Sequence, residues 1–173
     1  MRGGRFEPDA RLMKFLLSIS LPLYALDQAT KTWIVRHIEV QREQWPIIPG
    51  FFHLCYWDNT GAAFGMFKDN NRAFIVLSIV ALIGLTIFYQ RGMFRDLVSR
   101  WGVAFLIGGI LGNVTDRLVH KHVVDFLLFF LGVPGANPWP AFNIADSCIF
   151  VAAALFILAS FREARTPKRS QVS

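Results

Sequence analysis

Three carboxylates, Asp116, Asp125 and Asp146, stand in or beside segments otherwise composed for lipid, LGNVTDRLVHKHVVDFLLFF and AFNIADSCIF. Ionisable side chains at membrane depth are costly, so their default reading is functional. Two carboxylates held close cannot both ionise readily, and such a pair shares one proton. The ionised member can take a proton from water. The protonated member can polarise a carbonyl and later protonate the leaving amine. Asp125 and Asp146, at the ends of two different apolar segments, suit that chemistry, which is aspartic proteolysis. The same acids, separately neutralised, suit a proton relay or a transporter, and the residues alone favour neither.

Other polar residues fall around these acids at helical spacing. Asn113, Asp116 and Arg117 are i, i+3 and i+4, so one helical face carries all three. Asn143 and Asp146 are i and i+3, and a carboxylate near a helix N-terminus gains from the dipole. Asp27 and Lys31 are i and i+4, acid first, the favourable order for an ion pair. That pair either snorkels at an interface, or orients the outer loop or touches substrate. His120, His122 and Asp125 invite a zinc reading. In a strand, however, Asp125 faces away from the two histidines, and no fourth ligand is evident. Cys55 and Cys148 lack metal-site or disulfide spacing and read as small apolar residues. No Ser/His/Asp pattern, phosphate loop or H-E-x-x-H is present.

The elements that must position these residues are apolar blocks. The chain has 173 residues, 54% of them hydrophobic. A soluble domain would carry a similar share in alternating patterns, whereas here the apolar residues run in long stretches. The blocks Leu12–Ala29, Ala73–Tyr89, Trp101–Val119 and Phe142–Phe161 each approach the ~20 residues of a membrane span. The first needs extension through Thr32–Val35. The expected fold is an all-α membrane protein with four transmembrane helices, at about 12–35, 72–90, 101–119 and 142–161, in a single polytopic domain. The basic start is read as an uncleaved anchor, since no small-x-small pair follows the first block.

The net charge of +6 would admit a nucleic-acid partner, but the charges cluster at span ends. Arg2, Arg5, Arg11, Lys14, Arg91, Arg95, Arg100, Arg162, Arg165, Lys168 and Arg169 all fall on one side if four spans alternate. The positive-inside rule puts that side, with both termini, in the cytoplasm. The segment 45–71 then faces outward. It is aromatic, with β-like Phe51–Trp57 and the turn signal Asp58-Asn59-Thr60-Gly61. A small outer-face β element is expected there, lying at headgroup depth. Asn59 and the run Gly61-Ala62-Ala63 would allow close approach of something lipidic or peptidic. The second span lacks ionisable residues before Tyr89 and reads as lipid-facing scaffold. In the third, Ala104, Gly108 and Gly112 repeat at four-residue spacing, a ridge for close helix packing. Gly132–Pro140 breaks the chain before the fourth.

Five stretches carry a family resemblance, in order along the chain: LDQATK (Leu26–Lys31), IIPGFFHL…NTGAAFGMF (Ile47–Phe67), GGILGNVTDR (Gly108–Arg117), VVDF (Val123–Phe126) and FNIAD (Phe142–Asp146). With them the chain resembles lipoprotein signal peptidase, or signal peptidase II, a bacterial membrane aspartic peptidase family of the inner membrane. The resemblance implies removal of the signal peptide from a diacylglyceryl-modified prolipoprotein, with cleavage before the lipidated cysteine. It makes Asp125 and Asp146 the catalytic dyad. Asn59, Gly61, Asn113, Arg117 and Asn143 would surround the site, supported by Asp27, Lys31 and Asp116. It implies no metal or organic cofactor. The expected partners are the prolipoprotein and membrane lipid, with no nucleic acid, and the protein is expected to be a monomer. Lys121 departs from the family, which commonly has glycine there.

Overall fold

The computed structural model describes residues 10–61, 70–94, 96–132 and 137–165. The chain start, the run from Ala62 through Phe64 and Phe67, Arg95, the centre of the breaker and the basic tail lie outside these residues. The order is α1 (Ala10–His37), β1 (Gln44–Ile48), β2 (Phe52–Asn59), α2 (Asn71–Gln90), α3 (Leu97–Val119), β3 (Val123–Phe129) and α4 (Ile144–Arg165).

Among the described residues, three helices are long and apolar enough to cross a membrane: α2, α3 and the Ile144–Ala164 stretch of α4. Helix α1 has the length, at 28 residues. Its C-terminal half, however, carries Asp27, Lys31 and Arg36. Helix α3 sits among the other three, packed on α4, α1 and α2. Its expected small-residue ridge makes the contacts. A methyl on Gly108 would lie 3.2 Å from Leu23 Cβ on α1, and one on Gly112 would lie 2.9 Å from Ala145 Cβ on α4. Gly109, off the predicted ridge, approaches α4 still more closely, with the Ala145 carbonyl 2.5 Å from where a Cβ would stand. Without a hydrophobic drive between helices in lipid, such close backbone approach supplies the packing. No residue of α2 is buried.

The sheet is antiparallel in the order β1-β2-β3. Its first two strands form the β element expected within 45–71, and β3 comes from the segment after α3. Gly50 turns the β1–β2 connection at φ 73°, a conformation glycine adopts without strain. The end of α3 needs the same conformation at Lys121, whose φ is 70°. This is the position after the helix C-cap, where glycine is the usual residue. The departure at Lys121 therefore costs strain but leaves the turn formed, and the Lys121 ammonium donates to the Leu118 carbonyl at 3.1 Å. The strand β3 then pairs with β2, matching Val123 to Asn59 and Val124 to Asp58. The Phe126 and Leu127 N–H groups both donate to the Phe142 carbonyl, and the Phe142 N–H donates to the Leu127 carbonyl. These bonds fasten the start of α4 to the strand that carries Asp125.

Candidate active site

Asp125 lies on β3 with only 2% of its surface exposed. Both its oxygens accept from asparagine amides. Asn59 Nδ2 of β2 donates to Oδ2 at 2.7 Å, and Asn143 Nδ2 donates to Oδ1 at 2.7 Å. The Asn59 carbonyl oxygen is occupied by the Gly61 N–H at 3.0 Å, which fixes that amide with its N–H₂ toward Asp125. Burial pushes the Asp125 carboxyl well above the usual carboxylate range. The charge of Asp146 pushes it further, against the two asparagine donors.

Asn143 precedes the first residue of α4 and acts as its N-cap. Its Oδ1 accepts from the Asp146 N–H at 2.8 Å, and Asp146 Oδ2 accepts from the Asn143 N–H at 3.3 Å. This is a reciprocal capping box written N-x-x-D. The expected i, i+3 neighbours are thus joined through the helix start. One fully buried asparagine both begins α4 beside Asp146 and donates to Asp125. The structure brings the two carboxylates into one polar cluster, with Asp125 buried and Asp146 half-buried.

Asn113 holds the other oxygen of Asp146, with Nδ2 donating to Oδ1 at 2.7 Å. Its own oxygen accepts from Lys31 at 3.2 Å. An ammonium only donates, so the Asn113 amide is oriented without ambiguity. Lys31 also pairs with Asp27 at 2.8 Å and Asp116 at 2.9 Å. All three are at most 3% exposed, so the pair is buried and does not snorkel. It ties helices together: Asp27 accepts from the Ala145 N–H of α4 at 2.8 Å, and Asp116 accepts from the Val124 N–H of β3 at 3.1 Å. Gln28, which sequence reasoning passed over, donates to Asp27, Asp116 and the Gly112 carbonyl. Its place at i+1 from Asp27 gave no periodic signal.

Arg117 donates through Nη2 to the Gly61 carbonyl at 3.0 Å, and its guanidinium lies 4.5 Å over the Phe74 ring. Asn71 donates to the Arg117 carbonyl at 3.0 Å. The N-terminal end of α2 thus supports the site, a role its apolar sequence did not suggest. Arg117 Nη1 is buried with no hydrogen-bond partner among the described residues. His122 pairs with Asp58 at 3.1 Å and stands apart from Asp125. Among the described residues, no group of three or more His, Cys, Asp or Glu side chains is arranged for a metal ion.

The sequence profile of the family described as signal peptidase (SPase) II matches residues 19–162. A lipoprotein signal peptidase of Desulforapulum autotrophicum is 39% identical over 86% of this chain and 93% of its own. One of Neisseria meningitidis serogroup C is 41% identical over 81% of this chain and 85% of its own. A bacterial membrane enzyme solved by the in meso method superposes with a TM-score of 0.82 at 28% identity, covering 92% of this chain and 95% of that one.

Proposed function

Because the chain belongs to the signal peptidase II family, we propose that it is a membrane aspartic endopeptidase that removes signal peptides from diacylglyceryl-modified prolipoproteins, cutting before the lipidated cysteine. The observation that carries this reading is the buried Asn143. It donates to Asp125 while capping the helix turn that carries Asp146. An arrangement that sets a buried carboxyl beside a half-buried one, the first held protonated by its burial and by the other's charge, suits a shared-proton dyad. A transporter would need a polar path across the bilayer, and α2 offers none.

In the proposed reaction, the ionised aspartate takes a proton from water, and the hydroxide so formed adds to the scissile carbonyl carbon. The protonated aspartate gives its proton to the carbonyl oxygen. Collapse of the tetrahedral adduct breaks the C–N bond, and the proton on the former carbonyl oxygen returns to the second aspartate as the C=O bond re-forms. The proton taken from water passes to the departing amine, which is the amino group of the lipidated cysteine. Arg117 Nη1, buried and without a partner among the described residues, is the donor suited to a substrate carbonyl. The Lys31–Asp27–Asp116 network holds the two aspartate-bearing segments at fixed separation. No metal or organic cofactor takes part.

The proposed topology has four spans, α1 among them, with both termini in the cytoplasm and the sheet at the outer surface of the inner membrane. A lipidated cysteine, held by its acyl chains in the outer leaflet, would meet the acids at that depth. The protein acts as a monomer in contact with membrane lipid. The test is cleavage by purified protein of a prolipoprotein with and without its diacylglyceryl group. Cleavage of the lipidated form alone, lost in both Asp125→Asn and Asp146→Asn, is expected. Robust cleavage by either variant would remove the dyad assignment.

A further inference from the structure

The C-terminal end of α1 carries a second feature that the peptidase reading does not use. Gln28, Ala29, Thr32, Trp33, Arg36 and His37 line an open surface cavity of about 460 Å³. Their spacing, in steps of one and four, gathers them on one helical face. Trp33 stacks on His37 with centroids 4.7 Å apart and meets Trp45 edge-on at 5.9 Å. His37 Nδ1 lies 2.7 Å from the Trp33 carbonyl. A carbonyl only accepts, so Nδ1 carries the hydrogen. Arg36 is exposed and makes no ion pair or hydrogen bond among the described residues. The nearby Glu43 is engaged elsewhere, by the Trp45 indole at 2.6 Å. A free guanidinium, a hydroxyl and an indole thus converge at one end of a membrane helix. On the proposed outer side, this cation belongs to the minority of basic residues outside the cytoplasmic clusters.

We propose that this cavity binds the phosphate of an anionic phospholipid headgroup. Arg36 is the anchor, because its planar fork matches phosphate oxygens two at a time. The Thr32 hydroxyl is a second donor, and Trp33 packs at headgroup depth as interfacial indoles do. Gln28 forms the inner wall, and its amide also donates to Asp27 and Asp116. A bound headgroup therefore touches the same side chain that steadies the acid network. The proposal rests on the outer placement of the α1 C-terminus given above, but not on peptidase activity.

The test is native mass spectrometry of the full chain in detergent, titrated with phosphatidylglycerol and, separately, with diacylglycerol. Wild type is expected to retain one phosphatidylglycerol. Arg36→Gln should weaken that binding about tenfold, ~1.4 kcal/mol, while Arg42→Gln, an exposed arginine outside the cavity, should not. Diacylglycerol, which lacks phosphate, should bind wild type and Arg36→Gln alike. Displacement of the lipid by inorganic phosphate would assign the site to phosphate as such, and resistance to it would assign it to the lipid headgroup. Trp33→Leu reads the same loss should Arg36→Gln fail to fold. Equal phosphatidylglycerol retention by wild type and these variants overturns the proposal. Because binding is read without substrate, failure of cleavage and failure of lipid binding are separate results.

Discussion

Replacing Asn143 separates two roles that one side chain now performs. Asn143→Ala removes the α4 cap, which costs about 1 kcal/mol. It also leaves one Asp125 oxygen short of a partner in a buried site, at ~1–3 kcal/mol. The expected loss is roughly 2–4 kcal/mol, seen as a large drop in melting temperature in detergent. Asn143→Ser keeps an oxygen that can cap α4 but cannot span the 2.7 Å bond to Asp125 that the amide makes. Its stability should lie much nearer wild type. Its turnover should not, because a hydrogen bond to a charged group contributes ~1.5–3 kcal/mol, or roughly a 10- to 100-fold fall in kcat/KM. Loss of a donor that holds the Asp125 carboxyl down raises that carboxyl further. The alkaline limb of the pH–rate profile, set by the carboxyl that must stay protonated, should therefore move to higher pH. Steady-state cleavage of a lipidated substrate across pH reads both effects. A serine variant with near wild-type turnover and an unmoved alkaline limb would refute the role given to the Asn143 amide.

Other expectations follow from single contacts. Gly112→Ala places a methyl 2.5 Å from Asp27 Oδ2, which is tied to Lys31 and cannot retreat. It should cost about 1–3 kcal/mol in thermal melts, whereas Gly84→Ala, with nothing within 4 Å of the new methyl, should be neutral or slightly stabilising. Lys121→Gly should fold and cleave as wild type, because it relieves left-handed strain while losing one exposed hydrogen bond. Lys121→Val should be about 1–2 kcal/mol less stable than the glycine variant. Asp125 holds its proton to higher pH in the folded chain than in the unfolded one. The unfolded state thus binds fewer protons as pH rises from the ordinary carboxylate range through neutrality, and stability falls over that window. Asp125→Asn should be inactive, and its melting temperature should decline less over the same window. An equal decline would place the penalty on another group.

The sequence carried the chemistry because chemistry needs residue types, and lipid makes those types conspicuous. Asp116, Asp125 and Asp146 stood out against apolar surroundings, and the five ordered stretches pointed to the family that the chain belongs to. The i, i+4 spacing of Asp27 and Lys31 gave their ion pair, and the Ala104–Gly108–Gly112 ridge gave the packing face of α3. The N-x-x-D signature of the α4 capping box was also present in FNIAD, since capping is local and needs no distant partner. The sheet was legible for β2, where the β-like run Phe51–Trp57 meets a turn signal. It was less so for β3, whose pairing partners are more than sixty positions away.

Only the tertiary structure decided which groups meet. No spacing rule places Asn59 against Asp125 across a sheet, Lys31 between Asp27 and Asp116, or the Asp27 carboxylate on the first turn of α4. It was also the fold that made Lys31 a buried strut, as easily read from sequence as a snorkelling cation, and that gave apolar α2 a polar duty through Asn71 and Phe74. Local periodicity fixes which face of an element a residue shares, but contacts between elements depend on crossing geometry and strand register, which are settled only when the whole set of faces is buried together.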